Sequence, residues 1–231
     1  MCFSPQADLI GGGVIGVIGV DVLRHVNSRR DHLALAALPL ILGFHQVVEA
    51  FVWLSKQGHL PSAVGTVAMW VYLLIAFVLL PVFVPVAVVL FEPTARRRWL
   101  MAPFVAIGAA VSVTLLVAMV RGPVGVTMRP YHLAYSVQLG GAGLLIVSLY
   151  VAAVCGALLL SGFRHVVIFG VVNLVAVIVI AKLTVDGFAS VWCGWAAVTS
   201  GVIALHMRLT GPLATRSPPA RGDHPGLAAG S

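Results

Sequence analysis

Apolar residues gather into seven long stretches between Pro5 and Met207, each parted from the next by charged residues or by Pro and Gly. An apolar stretch of about 20 residues has one ready solution, a helix that crosses the ~30 Å hydrocarbon core of a bilayer with its backbone polar groups bonded internally. The predicted spans lie near residues 5–26, 33–55, 64–91, 99–120, 132–160, 165–183 and 187–207. Seven spans of about 22 residues leave only short loops and a tail, so no soluble catalytic domain can be accommodated. Any activity has to sit among the helices. Composition agrees: 60% of the residues are hydrophobic and 9% charged, where a soluble domain carries about 25% charged residues. The fold class this predicts is an all-α polytopic membrane protein, with a seven-helix bundle over residues 1–210.

Orientation follows from the Lys and Arg count, because positive loops are retained on the cytoplasmic side. One set of loops holds Arg24, Arg29, Arg30, Arg96, Arg97, Arg98, Arg164, Arg208, Arg216 and Arg221, and the other holds Lys56, Arg121, Arg129 and Lys182. Ten against four, with an odd number of spans, predicts an outside N-terminus and an inside C-terminus in the plasma (inner) membrane. The net charge of +7 comes from residues at the ends of apolar runs, so it orders spans in the lipid bilayer and makes no nucleic-acid surface. Residues 211–231, rich in Pro, Gly, Ala and polar groups, are predicted to form a disordered cytoplasmic tail. No Lys or Arg precedes the first apolar run, which is therefore expected to remain as a span.

Two local signals refine this layout. Ser4 can cap the first helix while Pro5 takes the first helical position, where a missing N–H costs nothing. Pro81 and Pro85 predict a kink in the third span.

Polar groups inside a membrane are expensive and mark candidate sites. His45 and Glu49 are four residues apart and share a helical face, with Gln46 beside them. Counted from the inner end of their span at 1.5 Å per residue, they lie about 18 Å and about 24 Å across the core, both in the outer half. Tyr72, His132, Tyr135 and Gln138 fall at similar depth on neighbouring spans, and Cys2 and Cys193 enter from the same side. His45, Gln46, Glu49, Tyr72, His132 and Gln138 are thus the predicted ligand-binding set, in a polar pocket open to the outer surface or just beneath it. Packing glue explains the same residues if they only bond each other. Trp70, Tyr72, Trp192 and Trp195 also fit an interfacial aromatic belt.

A bound metal ion is the cofactor this set admits. His45 and Glu49 supply two ligands, and zinc needs three or four, so donors such as Cys2, His132 or Cys193 would have to converge on them from other helices. Cys2 could instead act as an N-terminal nucleophile after methionine removal, or join Cys193 in a disulfide at an oxidising face. The three cysteines contain no Cys-x-x-Cys pair, which excludes a zinc ribbon or a thioredoxin-like motif.

The opening Met1-Cys2-Phe3-Ser4, the glycine-rich first span ending Val20-Asp21-Val22-Leu23-Arg24, Leu38-Pro39-Leu40, and the run from His45 to Trp53 resemble an uncharacterised family of bacterial, often actinobacterial, integral membrane proteins. The resemblance implies a seven-helix membrane fold and brings no activity or catalytic residue with it. Two classes of function remain from the residues themselves. One is the binding, sensing or transport of a small-molecule ligand. The other is a membrane-embedded enzyme using Glu49 or His45 as acid or base, against which stands the absence of His-Glu-x-x-His and Gly-x-Ser-x-Gly motifs. A structural subunit of a larger membrane complex is a third reading.

Overall fold

The computed structural model describes residues 4–26, 30–183, 194–201 and 204. Its helices are α1 (Pro5–His25), α2 (Arg30–Lys56), α3 (Ser62–Leu73), α4 (Leu80–Phe91) and α5 (Ala95–Arg121). A hairpin of β1 (Val124–Met128) and β2 (Leu133–Val137) follows, and then α6 (Gly143–Leu159) and α7 (Arg164–Leu183). A π-helical turn, Leu74–Leu79, joins α3 to α4 in one continuous rod. Among the described residues six helices are long and apolar enough to cross a membrane, the α3–α4 rod being one of them. The chain is therefore a multi-pass membrane protein. Residues 194–201 are helical too, and a Cβ on Gly201 would lie 3.6 Å from Ile15 of α1. They are the described part of the expected seventh span.

The helix pair α1 and α2 is built on glycine. The buried positions of α1 are Pro5, Asp8, Gly12, Ile15, Gly19 and Val22, an alternation of three and four that marks one helix face. On that face a Cβ at Gly12 would stand 2.7 Å from the Gly43 carbonyl oxygen, and one at Gly19 would stand 2.6 Å from the Leu40 nitrogen. A Cβ on Gly43 would in turn meet the Gly16 nitrogen at 2.7 Å. Backbone thus packs on backbone, as small residues permit in bilayers, where dispersion contacts replace the hydrophobic effect as the glue between helices. Helix α2 also packs against α3 and α4, and it is the most enclosed helix of the bundle.

Where a kink is predicted, the rod has its π turn. Pro81 has no N–H, and Leu80 already donates to the Ile75 carbonyl five residues back, so in that π pattern the Ala76 carbonyl loses its donor. Tyr150 of α6 replaces it, its hydroxyl donating to the Ala76 oxygen at 2.7 Å. Ser112 of α5 donates to the Val78 carbonyl at 2.8 Å in the same segment. Gly108 of α5 passes so close to the Pro81 carbonyl that no side chain could fit between them.

Two expectations need correction here. The fold is not purely α-helical, because residues 124–137 form an antiparallel hairpin with Val126 opposite Tyr135 and Met128 opposite Leu133. The fifth span accordingly begins near Gly143 and not at His132. Pro130 and Tyr131 make the tip, where the Arg129 N–H donates to the His132 carbonyl at 3.0 Å. The physical reason lies in β-branched and aromatic residues that pack well on a pleated surface: Val126 and Leu133 are buried against Val52, Trp53, Met69, Tyr72 and Met119. The hairpin is a cover for one end of the bundle.

At the opposite end Glu92, 1% exposed, ties two loops together. Its carboxylate accepts from the Thr94 hydroxyl at 3.0 Å and from the Gly162 N–H at 2.8 Å, and Arg97 lies 3.9 Å away. Arg98 donates to the Glu92 backbone carbonyl at 2.6 Å. A carboxylate buried this way is satisfied by donors on both sides and by a cation.

Candidate functional site: a buried acidic cluster between α1 and α2

The glycine contacts set the register of α1 against α2. Gly19 lies beside Leu40, Gly16 beside Gly43, and Gly12 beside Gly43 and Val47. Running antiparallel from there, α1 brings Asp8 level with Glu49. Both side chains are wholly buried. Neither Asp8 oxygen has a hydrogen-bond partner among the described residues.

His45 lies one turn from Glu49 and is equally enclosed. Its Nε2 is 3.1 Å from the Tyr72 carbonyl oxygen. A carbonyl only accepts, so Nε2 carries the hydrogen and neutral His45 keeps a lone pair on Nδ1. That nitrogen is buried and has no hydrogen-bond partner among the described residues. The imidazole stacks on Tyr72 at 3.9 Å between ring centroids, and Tyr72 stacks on Tyr135 of β2 at 4.4 Å. Three rings thus connect α2, α3 and the hairpin. Trp53, a turn beyond Glu49, buries an indole N–H that also lacks an acceptor among the described residues.

Of the residues singled out from sequence, His45, Gln46, Glu49 and Tyr72 all have no exposed surface, and His45 and Tyr72 are in direct contact. Tyr72 is a core residue and not part of an aromatic belt. His132 sits at the hairpin tip, half-buried, and its Nε2 has no partner among the described residues. Gln138 is exposed just past β2, beside Gly122 at the end of α5. Cys2 and Cys193 lie outside the described residues, as do Asp186 and Trp192. Among the described residues no three His, Cys, Asp or Glu side chains converge closely enough to hold a metal ion.

Asp8 was not among the sequence candidates, although its signal was present. It occupies the second position of the alternating stripe from Pro5 to Val22, and an acid on a buried stripe is a group in need of a partner.

Chemically the cluster is rich in acceptors. Two carboxyl groups and an imidazole lone pair line it beside two donors, the Gln46 amide and the Trp53 indole N–H, and no Lys or Arg is found among the buried described side chains. No curated protein and no solved structure matches the chain. One family model matches residues 1–217, nearly its whole length, and by that match the chain belongs to a family of unknown function, DUF6629.

Proposed function

We propose that this is a seven-span bacterial plasma-membrane protein, N-terminus outside and C-terminus inside, whose buried cluster in the outer half binds a small solute for sensing or transport. The orientation rests on the ten-to-four distribution of Lys and Arg. One observation carries the site: Asp8 and Glu49, from two helices, are both wholly buried at one level of the α1–α2 seam. Two carboxyl groups cost more to bury in a low-dielectric bundle than the hydroxyl and amide groups that ordinarily serve as packing glue.

Solute entry then requires the bundle to open. The π turn at Leu74–Leu79, adjoining α2 through Tyr72, is the irregular segment best suited to absorb such a motion. The test is a thermal-stability screen of the full chain in mild detergent against small solutes of positive, negative and zero charge. A stabilising solute whose effect disappears in both Glu49→Gln and His45→Ala, while each variant keeps its helical circular dichroism, supports the reading. Variants that lose stability but respond to solutes as the wild type does would reduce the cluster to internal packing.

A further inference from the structure

We infer that the bundle holds a gated passage for a small uncharged solute bearing N–H or O–H groups, running from the Glu92 end toward the acidic cluster and closed by Leu38 and Phe169. This rests on the binding reading above for its destination, and adds the route and the charge class of what travels along it.

Two cavities lie in line along α2. The first, about 50 Å³, sits at the Glu92 end among Val22, Val26, His32, Phe91, Val166 and Ser200. In the proposed orientation that end is cytoplasmic. The second, about 30 Å³, lies deeper, among Leu42, Leu80, Val84, Tyr150 and Asn173. Leu38 and Phe169 belong to the walls of both, so these two side chains form the partition. The same order holds on each of three helices: α2 runs from His32 through Leu38 to Leu42, α7 from Val166 through Phe169 to Asn173, and α4 back from Phe91 to Val84 and Leu80. Leu42 is in turn one helical turn from His45 and Gln46. The line of cavities therefore leads to the acidic cluster from the side away from the hairpin.

Protein interiors are close-packed, and each of these voids exceeds the ~10–15 Å³ that one water molecule needs. Their walls choose the solute. Among the described residues no Lys, Arg, Asp or Glu lines either cavity. Walls this apolar stay dry, and an ion passing them would lose its hydration with no counter-charge to replace it. An uncharged solute loses far less, and each cavity offers it one hydrogen bond. The Ser200 hydroxyl donates to the Ala197 carbonyl and the Asn173 amide to the Phe169 carbonyl, both at 2.8 Å, so each side chain keeps an oxygen able to accept. Those oxygens call for N–H or O–H groups on the solute, as does the acceptor-rich cluster beyond. The gate needs no backbone motion: Phe169 has two side-chain torsions, and the voids on either side give its ring room to change rotamer.

The experiment places a reporter thiol in the deeper cavity of the full chain, Leu42→Cys, and reads its modification at that position by mass spectrometry in mild detergent. Leu115→Cys, also buried but outside both cavities, is the control. Removing the partition with Phe169→Ala should raise the rate of reaction of residue 42 with neutral methyl methanethiosulfonate by about tenfold or more, and leave residue 115 unchanged. The trimethylammonium-bearing methanethiosulfonate should show no such rise. Adding Ala36→Trp, which fills the first cavity, should cancel the gain. Leu38→Ala opens the same partition from α2 and serves if Phe169→Ala does not fold. An equal rise at residues 42 and 115 would mean a loosened core and overturn the gate. A gain that survives Ala36→Trp would overturn the route, and one shared by the cationic reagent would overturn the charge class. If neither gate variant exposes residue 42 while a solute still stabilises the protein through Glu49 and His45, the passage falls and the binding reading stands. The expected labelling in a protein that no solute stabilises would uphold the passage and remove the binding reading.

Discussion

The Tyr150 hydroxyl donates at 2.7 Å to the Ala76 carbonyl, the acceptor that Pro81 cannot serve. A tyrosine on α6 thereby completes a helix to which it does not belong. Tyr150→Phe keeps the ring and its packing and leaves a buried carbonyl without its donor, so we expect a loss of about 1–3 kcal/mol. A lower unfolding midpoint in detergent, with unchanged circular dichroism, is the measurement. An unchanged midpoint would mean that the π turn satisfies itself.

The glycines of α1 and α2 are separable by where a methyl group would go. Gly43→Ala would put a Cβ 2.7 Å from the Gly16 nitrogen, whereas one on Gly13 would have nothing within 4 Å. Gly43→Ala should therefore destabilise by about 1–3 kcal/mol through overpacking. Gly13→Ala should be neutral or stabilise by up to about 1 kcal/mol, since alanine is the better helix former. Equal effects in thermal unfolding would contradict the close α1–α2 contact.

Glu92 should act as a clamp on the α6–α7 loop. Glu92→Ala removes the acceptor of the Gly162 N–H and should cost about 1–3 kcal/mol. It should also speed tryptic cleavage at Arg164, next to that loop, while Glu92→Gln, which keeps an acceptor oxygen, should recover part of the protection. Cleavage rates that do not change in Glu92→Ala would show that other contacts hold the loop.

Orientation can be read with reporter fusions. A reporter at Ser231 should be cytoplasmic, and one between residues 57 and 61 should be external. The reverse at both positions would invert the bundle and put the acidic cluster in the inner half.

Hydropathy made the spans legible because length and apolarity are read residue by residue, without knowledge of neighbours. The hairpin escaped that reading: Val124–Met128 and Leu133–Val137 are apolar enough to extend a helix on any hydropathy scale, and only Gly122-Pro123 and the Arg129-Pro130 break hint at strands. His132 and Gln138 were grouped with the site on the assumption of helical spacing, and strand geometry sends Gln138 to the surface. His45, Gln46 and Glu49 could be singled out because all three lie on one helix and local spacing suffices. Asp8 required the register between two helices, which glycine sets through backbone contact, a relation no single helix contains. The prolines announced an irregularity in the third span but not that a tyrosine 74 residues from Ala76 would supply the missing donor.

The glycine seam between α1 and α2 also has a mechanical meaning. Contact at Gly12, Gly16 and Gly19 leaves no clearance for α1 to roll about its axis, since any turn would drive Ile15 or Val22 into the backbone of α2. What is left is a tilt, with the seam as fulcrum. Asp8 lies only one helical turn beyond Gly12, about 6 Å along the axis. On so short a lever arm, a modest tilt of α1 parts Asp8 from Glu49 by little, while the far end of α1, on the other side of the fulcrum, must swing by more and in the opposite sense. A tilt that parts the two carboxyl groups would thus be magnified at His25.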